Sequence, residues 1–149
     1  MSHGPLKLAA TDPDDISVLS ALLQDSIIPV SEMIYLVTEC RFVLVANRFR
    51  WEASNYAKMS GISFERVRCG VSFDRVNKVY RRNIDLRDQS RELDLLALEA
   101  TSEYVDLIFA GNAAIRLHVE RILCHAEDFG ETWQTQLRPE HELGDATEN

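Results

Sequence analysis

Between residues 26 and 119 the apolar positions recur mostly at every second residue, the period of an extended strand. The longest run is 41–51. Phe42, Leu44 and Ala46 fall on one face, which then becomes Arg48 and Arg50; Val43, Val45, Phe49 and Trp51 share the other with Asn47. That change of character predicts a strand with both faces covered at its start and one face wet at its end. Residues 65–73 alternate cleanly. Val67, Cys69, Val71 and Phe73 point one way, and Arg66, Arg68, Gly70 and Ser72 the other. Weaker runs at 26–30, 33–38, 75–82 and 93–101 predict further strands, although Leu95, Leu96, Ala97 and Leu98 also suit a helix. Residues 104–110 and 113–119 predict a hairpin. Val105, Leu107 and Phe109 of one arm and Ile115, Leu117 and Val119 of the other face the core, across a Gly111-Asn112 turn that tolerates positive φ.

Two segments carry a helical period. Asp12 can cap, Pro13 suits the first helical position, and Asp14 and Asp15 suit the positive end of the helix dipole. Ile16, Leu19, Leu22 and Leu23 then make one apolar face and predict a helix over 13–24. From Glu120, Ile122, Leu123, Ala126 and Phe129 predict a second helix, with Gly130 as its stop. Residues 52–63 and 83–91 read as loops, and the acidic stretch 138–149 as a frayed tail beyond a single domain of residues 1–137. The sum is an α+β fold. It has a strongly bent antiparallel sheet or partly open barrel of about seven strands, flanked by N-terminal and C-terminal helices. With the last helix covering one end, this is a pleckstrin-homology-like architecture, an analogy that carries no function.

The 149 residues suffice for one domain with its own core. No run of about eighteen apolar residues predicts a membrane span, and the first residues do not read as a signal peptide. Cys40, Cys69 and Cys124 are odd in number and form no C-x-x-C motif, so buried thiols in a reducing cytoplasm are expected. The net charge of −8 is unevenly spread: −5 over 1–40, +7 over 41–91 and −10 over 92–149. Either the basic middle pairs with its acidic flanks, or it presents a local cationic face to an anion. The acidic total disfavours nucleic acid.

Candidate chemistry is sparse. No nucleophile elbow or phosphate loop is present, so no catalytic residue is assigned. Cys124 beside His125 or His118 is the nearest approach to a nucleophile–base pair. His118, Glu120, Cys124, His125 and Asp128 cluster without forming a metal motif, so neither a metal nor a cofactor is implied. The distinctive feature is arginine on strands. Arg48 and Arg50 share a face, as do Arg66 and Arg68. If the two strands pair across 52–63, four guanidinium groups stand on one sheet face and want counter-charge. The partner is internal (Glu52, Glu65, Asp74 or the acidic C-terminal segment) or a phosphate or carboxylate captured bidentately. Phe49, Trp51 and Tyr56 lie near in sequence.

The stretch Arg41-Phe42-Val43-Leu44-Val45-Ala46-Asn47-Arg48-Phe49-Arg50-Trp51-Glu52, with Phe73-Asp74-Arg75-Val76 and Ile115-Arg116-Leu117-His118-Val119-Glu120, resembles a family of small uncharacterised bacterial proteins classed as a domain of unknown function. The likeness spans roughly residues 5–137. It implies a single-domain bacterial cytoplasmic protein and carries over no activity, cofactor or catalytic residue. Three functional readings follow: a non-enzymatic binding or interaction module with a protein partner or a second copy at a strand edge; a small-anion binder using Arg48, Arg50, Arg66 and Arg68; and an enzyme of unknown reaction.

Overall fold

The computed structural model describes residues 5–50 and 64–135. Among these residues, ten antiparallel strands and one α-helix make up the fold, with short 3-10 turns at Val30–Glu32 and Val37–Glu39: β1 (Lys7–Ala10), α1 (Pro13–Leu23), β2 (Ile27–Pro29), β3 (Met33–Leu36), β4 (Arg41–Phe49), β5 (Phe64–Phe73), β6 (Val76–Arg82), β7 (Glu92–Ala100), β8 (Tyr104–Phe109), β9 (Ala113–Val119) and β10 (Cys124–Thr135). The strand order is β1-β10-β5-β4-β2-β7-β8-β9-β6, with β3 also on β4. Two limbs, β1-β10-β5-β4 and β7-β8-β9-β6, therefore meet through β2, which pairs with both β4 and β7.

The limbs also join at a bend. β5 passes into β6 through Asp74 and Arg75, and Arg75 takes a positive φ of 60°. Hydrogen bonds cross this corner: the Asp74 N–H donates to the Leu123 carbonyl at 2.8 Å, and the Glu120 N–H to the Arg75 carbonyl at 3.0 Å. Inward residues of both limbs belong to one core. Phe42, Leu44, Val71, Phe73 and Ala126 come from one limb, and Leu93, Leu95, Val105, Leu107, Phe109, Ile115 and Leu117 from the other. Burial of this apolar surface is the main force holding the limbs together.

The helix at 13–23 forms as its caps dictate. Asp12 accepts the Asp15 N–H at 2.8 Å, and Pro13 opens the first turn. Ile16, Leu19 and Leu23 are buried against β7, β1 and β4. Ser20 Oγ accepts the Leu98 N–H at 2.9 Å beside a bulge in β7, which anchors the helix to an otherwise irregular ladder. The hairpin also forms as its turn requires. Phe109 pairs with Ala113, and Gly111 and Asn112 have φ of 81° and 58°.

The α+β fold with two helices is overturned. The segment expected to be the C-terminal helix is β10, paired along β5 and β1. Its inward positions are Ile122, Cys124, Ala126 and Asp128, a period of two. Asp128 occupies the fourth core position and Phe129 lies outside, so the apolar residues alone imitate a helical face. Among the described residues no C-terminal helix caps one end in the pleckstrin-homology-like manner. The strands number ten rather than about seven, and the four-residue β1 adds an edge that the pattern did not announce. β4 corrects another expectation. Its even face is buried throughout, and Arg48, Phe49 and Arg50 at its end are all buried. The arginine end is the covered end. Trp51, Glu52, Tyr56, the loop 52–63 and the tail 138–149 lie outside the described residues.

Candidate functional site

β4 and β5 do pair across the intervening segment: Asn47 stands opposite Arg68, Arg48 opposite Val67, and Phe49 opposite Arg66. Cross-strand partners share a face. Arg48 and Arg50 therefore share one buried face with Val67 and Cys69, while Arg66 and Arg68 share the other with Asn47 and with Phe49, which is itself fully buried. The four guanidinium groups are brought onto neighbouring strands but split between opposite faces.

Each is engaged by the chain itself. Arg48 is 0% exposed and holds Asp128 bidentately, Nε to Oδ1 and Nη2 to Oδ2, both at 2.8 Å. This reaches diagonally across β5, because Asp128 pairs with Cys69. Asp128 Oδ2 also accepts the Leu6 N–H at 2.7 Å, which secures the chain leading into β1. Burial tends to raise the Asp128 carboxyl pKa, but hydrogen bonds from Arg48 and Leu6 and the Arg48 charge prevail and hold it below the usual carboxylate value. Arg50 pairs with Glu65. Arg66 donates to the Asn47 carbonyl at 3.1 Å and lies over Phe49; burial lowers its pKa against the opposing pull of Asp25 and Asp94. Arg68 donates to Glu32 at 2.7 Å and lies over Phe129. Of the carboxylates named as internal partners, Glu65 serves Arg50 and Asp74 serves Arg41 at 2.7 Å. The basic middle thus pairs partly with both flanks, through Arg68–Glu32 on one side and Arg48–Asp128 and Arg75–Glu120 on the other.

The other limb carries a different surface. The hairpin register places Tyr104 opposite His118, Asp106 opposite Arg116 and Ile108 opposite Ala114; β6 continues the face with Lys78 beside His118, Tyr80 beside Arg116 and Arg82 beside Ala114. The alternate residues Ile115, Leu117, Val105 and Leu107 are core, so this row faces outward. It encloses a concavity of about 600 Å³ lined by Tyr80, Arg81, Arg82, Tyr104, Asp106, Ile108, Ala114, Arg116 and His118. Its floor is fixed by side-chain contacts. Arg116 clasps Asp106 through Nε at 2.8 Å and Nη2 at 2.9 Å and lies 4.4 Å over the Tyr104 ring, whose centroid is 5.1 Å from that of His118. The hydrogen bond and charge of Asp106 raise the Arg116 pKa further. Tyr80 remains 52% exposed. Arg82 donates to the Asn112 carbonyl at 3.3 Å, so its charge is not neutralised there. The arginines lining the concavity outnumber its one carboxylate three to one.

Sequence reasoning left this face unassigned, although its signal was present. Once Gly111-Asn112 is accepted as the turn, the register follows, and Tyr104–His118 and Asp106–Arg116 become cross-strand neighbours.

The cysteines are not arranged for catalysis or metal binding. Cys124 is buried while His125 points outward, and among the described residues no three His, Cys, Asp or Glu side chains gather as a metal set. Burial pushes the thiols of Cys69 and Cys124 up to about 12, helped by Asp128 for Cys69 and by Cys69 for Cys124. Cys40 is exposed. Native protein treated with a thiol reagent at neutral pH is expected to modify Cys40 rapidly and the other two only after denaturation. Rapid labelling of Cys69 or Cys124 in the native state would contradict their placement.

Fold and site together define an antiparallel, mostly stranded domain that combines one internally neutralised limb with one open face of aromatic and cationic side chains. The chain belongs to the family described as Protein of unknown function (DUF2948), matched over residues 6–141. No curated protein matches it, and neither does any solved structure. Among the described residues no helix is long and apolar enough to cross a membrane.

Proposed function

We propose that this protein is a non-enzymatic binding module whose recognition surface is the outer face of β8, β9 and β6, and that it takes anionic ligands there. The concavity of about 600 Å³ carries the reading, since it falls in the size range of ligand sites. The surrounding cations give it a local positive field within an acidic protein. Arg82 and Lys78 supply charge, Tyr80 offers a ring for stacking or packing, and the Arg116–Asp106–Tyr104 assembly supplies a stiff floor. The strand-borne Arg48, Arg50, Arg66 and Arg68 are the less favourable anion site, because a ligand there competes with Asp128, Glu65, Glu32 and the Asn47 carbonyl. The free thiols of all three cysteines support a cytoplasmic setting.

Thermal unfolding with phosphate, pyrophosphate and dicarboxylates tests this. A ligand at one hundred times its dissociation constant is expected to add about 2.7 kcal/mol of stability. The gain should disappear in the double variant Lys78→Glu, Arg82→Glu and persist in Arg68→Gln. No shift with any of these anions, or a shift that survives the double charge reversal, would overturn the reading.

A further inference from the structure

β6 is the last strand in the order. It pairs with β9 on one side, and among the described residues no strand lies on the other. The start of the strand is tied down: the Val76 N–H donates to the Cys40 carbonyl at 2.8 Å and the Val76 carbonyl accepts Tyr35 Oη at 2.9 Å. The open edge therefore runs from Asn77 to Arg82. Four cations and no acid occupy residues 75–82. The acids that approach from neighbouring elements are Glu120, 3.6 Å from Arg75, and Asp85, which feels the charge of Arg81; Asp106 is held by Arg116.

From this edge we infer that the natural occupant of the cationic face is an extended acidic segment of a partner protein, added to β6 as an eleventh strand. The inference rests on the binding role proposed above and names its partner. An edge strand offers unpaired N–H and C=O groups as a template, and strand addition draws affinity from those groups and specificity from alternate side chains. Lys78, Tyr80 and Arg82 stand at every second position on the outward face, beside the concavity. A strand laid alongside brings its own alternate residues about 5 Å from these. The complementary pattern is acid, any residue, apolar, any residue, acid, with the apolar residue on Tyr80 and the acids on Lys78 and Arg82. This pattern reads the same in either strand direction. A second copy of β6 is disfavoured as occupant, since it would set four cations against four. Charge alone would suffice to protect the edge from aggregation. The exposed Tyr80 between the charges adds an apolar contact that protection does not need.

The test uses the full chain with a labelled peptide that has glutamates at alternate positions around a central valine. An isomer of the same composition carries its glutamates adjacent to the valine. The first peptide is expected to bind more tightly and to slow amide exchange at residues 78–82. The variant Lys78→Glu, Arg82→Glu is expected to weaken it by about tenfold, the scale of two cross-strand charge pairs turned from attraction to repulsion. Circular dichroism of that variant checks that the fold is retained, and Arg81→Gln, which leaves the outward row intact, gives a milder comparison. Equal binding of the two isomers, protection at another edge, or a concentration-dependent dimer protecting 78–82 without peptide would each overturn the inference. Binding of pyrophosphate but not of the peptide would overturn it and leave the anion-binding face standing; failure of both would remove the face as well.

Discussion

Asp128→Ala is expected to destabilise the protein by about 3–5 kcal/mol, the usual consequence of removing one member of a buried ion pair. Arg48 is wholly inaccessible and would keep its charge while losing two hydrogen bonds of 2.8 Å. The Leu6 N–H would lose its acceptor at the same time. Against a total stability of about 5–15 kcal/mol for an ordinary domain, this is a large fraction. Urea denaturation measures it as a lower midpoint at unchanged slope. The double variant Arg48→Met, Asp128→Leu is expected to lose less than Asp128→Ala, because the desolvation cost of both ions disappears with them. A loss below about 1 kcal/mol for Asp128→Ala, within the range of exposed pairs, would show that the pair is not sealed from water. The same pair sets an acid limit. The folded pKa of Asp128 lies below its ordinary value of 3.8, so its contribution is complete above that pH and is lost as pH falls through the folded value. Asp128→Asn should flatten the fall in stability below about pH 4.

Phe73→Ala is expected to cost about 3–5 kcal/mol through lost transfer energy and the cavity left behind. Phe73 is 2% exposed and closes β5 just before the bend, opposite Phe42 of β4 and Cys124 of β10. It belongs to the shared core next to the bend, and its small cross-strand neighbour Cys124 has little volume with which to fill a cavity there. Phe73→Leu is expected to cost less, since it retains more of the volume. Equal stability of Phe73→Ala and the parent chain would mean that the corner is not packed as described.

Much of the architecture was legible in the residues. The Asp12-Pro13 cap and the hairpin across Gly111-Asn112 follow from local chemistry, and each forms; the pairing of β4 with β5, left open by the residues, forms as well. The misreadings of β4 and β10 have one physical source. Arg48 and Asp128 occupy core positions as ions, so each interrupts the apolar alternation of its own strand. In β4 the arginine suggested a wet face where the strand is most enclosed. In β10 the aspartate, followed by the outward Phe129, changed an apparent period from two to nearly four. Neither charge can be recognised as internal until the other is known to lie beside it, and they are eighty residues apart. The candidate face stayed hidden for a related reason. β6 is irregular at its start, with a register shift between Val76 and Lys78. Its outward row becomes visible only when β9 is set next to it.

Residue-level mapping of anion binding tests the central claim most directly. Sodium pyrophosphate titrated into isotopically labelled full-length protein, followed through backbone amide shifts, is predicted to move residues 78–82, 104–106 and 114–118 along one saturating curve. Saturable shifts confined to 41–50 and 64–73, or none anywhere, would contradict it.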